Sequence, residues 1–165
     1  MLNSKRSLRN LLLSCVVPVL FSMTASAQGV EIFGGYQFTH IQPAFNGSGW
    51  NAAVTKNFKH VLGITGDVSG AYHNSRSVYT YTVGPVLTAR LPAVQPFAHA
   101  LFGGISTSNG EGDNGFAMLL GGGLDIGLRK GVGIRIVQVD WVYTDVNDVS
   151  RSKNVRASAG VVVKF

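Results

Sequence analysis

The fold is decided by the last eleven residues of the chain, Val155-Arg156-Ala157-Ser158-Ala159-Gly160-Val161-Val162-Val163-Lys164-Phe165. Apolar side chains occupy every second position of this stretch, and most positions between them are polar or small. A period of two with one apolar face is typical of a β-strand. The stretch is also long enough to cross a bilayer as a tilted strand. Because a strand in hydrocarbon cannot leave its edge unpaired, we expect it to close a barrel with the first strand.

The N-terminus has the three parts of a secretory signal peptide. Three basic residues precede an apolar run, and Ala25-Ser26-Ala27 supplies a cleavage site of small residues. We therefore predict a signal peptide over 1–27, cleaved between Ala27 and Gln28, and a β-barrel domain over 28–165. An uncleaved membrane anchor is the alternative, but the apolar run is short and is interrupted by a serine and a proline.

The charge and the cysteine content of the mature chain exclude several function classes. Without the leader, 11 Lys and Arg residues face eight acids, a net charge of +3. The basic pI of 9.8 therefore belongs partly to the leader, and we expect no nucleic-acid partner. The only cysteine, Cys15, lies in the leader, so we expect neither a disulfide nor thiol chemistry.

Seven further segments of the mature chain alternate like the last one. The fifth is the least regular, because Phe97 and His99 share one parity while Ala98 and Ala100 share the other. In the seventh, Arg135 falls on the apolar face, which indicates either a position at the rim or a β-bulge. The predicted strands cover about 30–40, 49–58, 61–72, 77–90, 95–105, 116–128, 132–144 and 155–165.

The connections between these segments alternate between short and long. Short links follow the second, fourth and sixth segments, and longer links rich in Gly, Ser, Asn and Asp follow the others. Transmembrane barrels have short periplasmic turns and longer external loops. We therefore predict an all-β fold, an eight-stranded antiparallel up-and-down transmembrane β-barrel with both termini on the periplasmic side.

The size of the side chains predicts which face is outward. The apolar set contains bulky residues such as Tyr81, Leu120 and Trp141, whereas the opposite set is mostly glycine or polar. An eight-stranded barrel has an interior only just wide enough for side chains to fill it. The bulky set does not fit inside, so we expect it to face lipid.

The polar set predicts a plugged interior. Burying unpaired charge is costly, so we expect acids and bases to pair at matching heights. A polar channel or an ion path is the alternative, although eight strands leave little free lumen. The predicted polar network of the lumen consists of Glu31, Asp67, Arg90, Asp125, Arg129, Gln138, Asp140, Arg156 and Lys164.

Several local sequences also resemble those of a known family of barrels. They are the leader, Tyr81-Thr82-Val83-Gly84-Pro85, Pro96-Phe97 and the terminal Val161-Val162-Val163-Lys164-Phe165. With them the chain resembles the small OmpA-like and OmpX-like outer-membrane β-barrels of Gram-negative bacteria. The peptidoglycan-binding domain of full-length OmpA has no counterpart here, so no wall-anchoring role is expected.

The resemblance implies an integral outer-membrane protein with a structural or surface-interaction role and no cofactor. It implies a monomer in contact with outer-membrane lipids and lipopolysaccharide, with external loops available to surface ligands. It also implies that Phe165 ends an assembly signal, which the outer-membrane assembly machinery reads on the C-terminal strand.

Two other functions remain as alternatives. Barrels similar to PagL deacylate lipid A with a Ser, a His and an acid near the outer rim, and His73, Ser75 and Asp145 are the candidates here, although the local His-x-Ser-Asn pattern is absent. A soluble lipocalin-like barrel would instead turn its apolar face inward. No metal site is predicted, because none of the histidines has metal-ligand spacing; they are His40, His60, His73 and His99.

Overall fold

Eight strands form one closed antiparallel barrel in which each strand pairs with its sequence neighbours. The computed structural model describes residues 29–42, 45–58, 61–74, 76–108, 112–129, 131–146 and 149–165. Within these ranges no helix is long and apolar enough to cross a membrane. The strands are β1 (Val30–Ile41), β2 (Phe45–Asn57), β3 (Leu62–His73), β4 (Arg76–Thr88), β5 (Val94–Ser108), β6 (Gly112–Arg129), β7 (Val132–Val146) and β8 (Val149–Lys164).

The predicted fold class is confirmed, and so is the role of the last strand in closing the barrel. β8 pairs with β1 in a register that runs from Glu31 opposite Lys164 to His40 opposite Val155. At one end of this seam the Phe165 amide donates to the Val30 carbonyl oxygen at 2.9 Å. The predicted signal peptide and its cleavage site lie outside the described residues.

The apolar face of the sheet is outward, as its size predicts. Trp141, Leu120 and Tyr81 are 38%, 40% and 52% exposed, whereas Asp125 and Asp140 are 3% and 0% exposed. Apolar side chains are exposed all round the barrel, far beyond the small patches of a soluble monomer. This arrangement is the opposite of a soluble barrel with an apolar interior, and it makes the fold a transmembrane one.

The interior is divided into layers along the barrel axis. We call the end where β1 meets β2 and β7 meets β8 the outer end. Towards this end lies an apolar layer, while a second, smaller apolar cluster of Phe33, Ala53 and Val162 lies towards the other end. Buried polar side chains fill the space between the two. The apolar layer consists of Phe45, Ala71, Val78, Leu101, Ile105, Ala117, Leu119 and Val142.

A β-bulge in β7 decides where Arg135 points. The β7–β8 pairing shifts register between Arg135 and Gln138, and both of these side chains are buried. The two residues between them, Ile136 and Val137, are both outward, 48% and 44% exposed. Strict alternation from Gln138 would turn Ile136 inward, and this fails because an extra residue in one strand breaks the alternation.

The strands are longer at the outer end than the sequence predicts. β2 begins at Phe45 rather than near 49, and β8 begins at Val149 rather than near 155. The Gly, Ser and Asn residues there indicate loops by composition, yet Ile41 pairs with Phe45 and Val146 with Val149. Backbone pairing thus continues through residues whose side chains are not typical of strands.

Two glycines on adjacent strands give a test of how tightly the sheet is packed. A Cβ atom at Gly49 would lie 1.9 Å from the carbonyl oxygen of Gly70, whereas one at Gly66 would meet nothing within 4 Å. The first contact is with backbone, so no rotamer change relieves it. We expect Gly49→Ala to lower the free energy of unfolding by about 1–3 kcal/mol. We expect Gly66→Ala to change it by less than about 0.5 kcal/mol.

Urea unfolding of the lipid-embedded barrel, followed by tryptophan fluorescence, measures both glycine variants. Equal losses in the two variants would show that the close approach at Gly49 has no energetic importance.

Candidate functional site

Arg156 is the centre of the buried polar interior. It lies on β8, is 2% exposed, and contacts one acid across the lumen and another on the adjacent strand β7. Its Nη1 and Nη2 atoms donate to the two carboxylate oxygens of Asp67 at 2.7 and 3.2 Å. Its Nε atom donates to Asp140 Oδ2 at 2.7 Å. One cation therefore bridges two carboxylates that are both almost completely buried.

The two carboxylates also have hydrogen-bond partners other than Arg156. His99 Nε2 lies 2.7 Å from Asp140 Oδ1, and Gln138 Nε2 donates to Asp140 Oδ2 at 2.9 Å. Asn51 Nδ2 donates to Asp67 Oδ2 at 2.9 Å. We call Asp67, His99, Asp140 and Arg156 the central cluster. It links strands β3, β5, β7 and β8.

A second cation, Arg135, lies next to this cluster. Its Nε and Nη2 atoms donate to the two oxygens of Asp125 at 2.8 and 3.2 Å, and its Nη1 atom donates to Gln138 Oε1 at 2.7 Å. The guanidinium carbon is 4.4 Å from the ring centre of Phe33 and 4.0 Å from that of Phe97. Such cation–π contacts are strongest when water is excluded. Gln138 therefore joins Arg135 to the central cluster.

The remaining residues of the predicted network lie at the inner end of the barrel. Arg90 Nη2 donates to Glu31 Oε1 at 3.3 Å. Lys164 Nζ donates to Gln95 Oε1. The Arg129 side chain lies outside the described part of the structure, although β6 extends to this residue. These pairs are separate from the central cluster.

The polar interior leaves almost no free space. A cavity of about 10 Å³ lies among Thr65, Asp67, His99 and Gln138. This is about the volume needed to hold one water molecule. Above it, Leu101 and Leu119 in the apolar layer are each 0% exposed. In the described ranges these levels of the interior are therefore filled by packed polar and apolar side chains, and they do not form a channel.

The residues considered for a hydrolase are not brought together where the structure describes them. His73 lies on β3, with its ring 6.1 Å from that of Phe45. Asp145 lies on β7, on the opposite side of the barrel, and its Oδ2 atom accepts a hydrogen bond from Ser150 at 3.1 Å. Ser75 lies outside the described residues.

No metal centre is formed by the part of the chain that the structure describes, because no three His, Cys, Asp or Glu residues are grouped there. His40 is hydrogen-bonded to Asn46 at 2.6 Å, and His60 lies outside the described residues.

A larger cavity opens at the outer end of the barrel. It has a volume of about 300 Å³ and lies above the apolar layer. Arg76 on β4 and Arg151 on β8 line it from opposite sides of the barrel. Sequence reasoning did not find this cavity, although the inward parity of Val78 and Ile105 was a signal that apolar residues line the interior near this end.

The described part of the chain matches solved outer-membrane barrels over most of its length. Neisserial surface protein A is 16% identical, with a TM-score of 0.65, and the match covers 82% of this chain and 96% of that one. The N-terminal β-barrel domain of Pseudomonas aeruginosa OprF is 9% identical, with a TM-score of 0.62 and coverage of 84% and 98%. Ail, the attachment invasion locus protein of Yersinia pestis, is 18% identical, with a TM-score of 0.53 and coverage of 84% and 99%.

The matches to solved structures identify the fold class of the chain. No protein-family profile and no curated protein sequence matches the chain. The chain has the fold of the small eight-stranded outer-membrane β-barrels, with an apolar exterior and an interior of buried polar and apolar layers. At identities below 20%, what those proteins do is not carried over with the fold.

Proposed function

We propose that this chain is a monomeric integral outer-membrane protein of a Gram-negative bacterium, with a structural or surface-interaction role and no enzymatic activity. It is exported through a signal peptide over 1–27 that is cleaved between Ala27 and Gln28. The domain over 28–165 then spans the membrane and holds no cofactor. The observation that carries the proposal is the continuous apolar exterior of a closed barrel.

That exterior supports outer-membrane lipids and lipopolysaccharide as the main partners. Large apolar side chains face outward on every strand and cannot be covered by water without a large free-energy cost. Aromatic residues gather towards the outer end, where Trp50 Nε1 donates to the Tyr72 hydroxyl at 3.2 Å and Tyr79 packs edge-on against Tyr72. Aromatic girdles of this kind lie at membrane interfaces.

The packed interior supports a role for the exterior and the loops over a role as a pore. The central cluster and the apolar layer fill successive levels of the lumen, so a solute would have to displace buried ion pairs to pass. The external loops are then the parts available to surface ligands. Ail, which shares the fold, is named as an attachment invasion locus protein, and this favours a surface-interaction role.

The C-terminal strand is the proposed contact for the outer-membrane assembly machinery. Phe165 is 59% exposed at the end of the β1–β8 seam opposite the outer end. Its position supports Phe165 as the end of the assembly signal.

Labelling of engineered cysteines tests the location and the topology. Ser108 is exposed at the outer end of β5, and Ala93 is exposed at the opposite end, just before β5. The mature chain has no other cysteine. In a Gram-negative host we expect a PEG-maleimide too large for porins to label Ser108→Cys on intact cells. We expect Ala93→Cys to react only after the outer membrane is permeabilised. Labelling of Ala93→Cys on intact cells would contradict the topology. Recovery of both variants in the soluble fraction instead of the membrane fraction would contradict the location.

A further inference from the structure

The cavity at the outer end combines an apolar wall with cationic side chains at its rim. We call it the outer cavity. Its apolar residues come from β1, β2, β4, β5, β7 and β8, so strands from most of the barrel circumference line it. The apolar lining residues are Ile41, Phe45, Val78, Ile105, Val146 and Val149.

The floor of the outer cavity separates it from the polar interior. Leu101, Ile105 and Leu119 in the apolar layer are at most 2% exposed, and no charged residue belongs to that layer. A group that enters the cavity therefore meets hydrocarbon below and around it. Enclosed apolar cavities bind apolar molecules in preference to water. This wall fits an alkyl chain.

Among the residues that the structure describes, Arg76 and Arg151 bring positive charge to the rim of the outer cavity, and no acid lines it. Arg76 and Arg151 lie on opposite sides of the opening and are both exposed. Among the described residues neither is paired with an acid, although Arg151 donates to the backbone oxygen of Gln42. The other polar lining groups are the hydroxyls of Thr107 and Thr144. A carboxylate at the mouth would be complementary to this rim.

We infer that the outer cavity binds a free single-chain anionic amphiphile, a fatty-acid carboxylate, with its chain inside the barrel and its head group at the two arginines. The enclosure by strands favours a free molecule from outside over an acyl chain of the surrounding leaflet, because such a chain would have to bend over the barrel rim. The volume of about 300 Å³ holds a chain of roughly ten methylene groups, since each takes up about as much space as a water molecule, ~30 Å³. This inference rests on the proposed function only in requiring that the chain fold as a barrel in a bilayer.

Calorimetric titration of the mature chain in phosphatidylcholine nanodiscs, with empty nanodiscs as the blank, tests the inference. The probe is decanoate, and decanol and decyltrimethylammonium are matched probes with the same chain length. We expect saturable binding of decanoate, binding of decanol about tenfold weaker, and no saturable binding of the cation. Decanol binding as tight as decanoate, or no binding above the blank, would overturn the inference.

Variants with matched controls locate the binding site. We expect Val146→Trp, which fills the cavity, to weaken decanoate binding at least tenfold, whereas Val155→Trp, which places the same side chain on the exterior, leaves it unchanged. We expect Arg76→Gln to weaken it on the order of threefold, in line with an exposed ion pair, and Lys153→Gln to have no effect. Equal effects of each variant and its control would mean that decanoate only partitions into the bilayer, and would overturn the site.

The two proposals fail in different ways. A chain that does not enter nanodiscs as a heat-modifiable barrel contradicts the proposed membrane function. A folded barrel in nanodiscs that does not bind decanoate contradicts the outer cavity alone.

Discussion

Replacing Arg156 with methionine is expected to lower the free energy of unfolding by about 3–5 kcal/mol, because it leaves two buried carboxylates without their shared cation. Asp67 and Asp140 are at most 2% exposed, so neither charge can be solvated by a small movement. Methionine is similar in length, which limits the effect of lost packing. Urea unfolding of the barrel in lipid vesicles, together with its band shift on unheated gels, measures the loss.

Two further variants separate charge from packing at this position. Lys153→Met removes a cation from the same strand at an exposed position, and we expect a change of less than about 0.5 kcal/mol. The triple variant Asp67→Asn, Asp140→Asn, Arg156→Met removes the two acids as well, and we expect it to recover more than half of the lost stability, since no buried charge is left uncompensated. A triple variant that is less stable than Arg156→Met would contradict this account.

Arginine in place of Val68 is expected to destabilise the lipid-embedded barrel by about 2–4 kcal/mol, the usual penalty for a cation on the lipid face at the bilayer midplane. Val68 lies near the middle of β3, is 46% exposed, and is flanked by Ala52 on β2 and Tyr81 on β4. If this surface meets hydrocarbon, the added charge must be desolvated or must distort the bilayer. Equilibrium unfolding in vesicles measures the cost.

The matched control places the same side chain where water is expected. Ser108 is exposed at the outer end of β5, and we expect Ser108→Arg to change the free energy of unfolding by less than about 0.5 kcal/mol. A Val68→Arg barrel as stable as the Ser108→Arg barrel would mean that the middle of the exterior is hydrated, and the transmembrane interpretation would be wrong.

The fold was predictable because one physical rule acts on all the strands except the irregular fifth. Residues of one parity are bulky and apolar, and the narrow lumen excludes them, so the outward positions of Trp141 and Leu120 followed from volume alone. The strand ends at Phe45 and Val149 were not predictable in this way, because they depend on backbone pairing between residues whose composition indicates loops.

The interior was predictable in its residues and much less in its contacts. Parity placed Asp140 and Arg156 on the inward face, but it did not indicate that Asp140 would also meet His99, which lies on a strand that is not adjacent. The hydrogen bond from His99 joins residues 41 positions apart. Arg135 was ambiguous because alternation fails at Ile134-Arg135-Ile136-Val137, and only the register across β7 and β8 resolves such a bulge. The outer cavity is lined by residues from six strands, and no local sequence pattern indicates that these residues lie around one space.

The seam between β1 and β8 has a consequence for how the protein is made. Glu31 pairs with Lys164 near the other end of the chain, so this seam has a high loop-closure cost, and we expect it to form last. Until the seam forms, the sheet is open and has two unpaired edge strands, and each of them can pair with another copy of the chain. We therefore expect the yield of correctly folded protein to depend on the lifetime of this open sheet, and slower closure to produce aggregates even when the finished barrel is as stable as before.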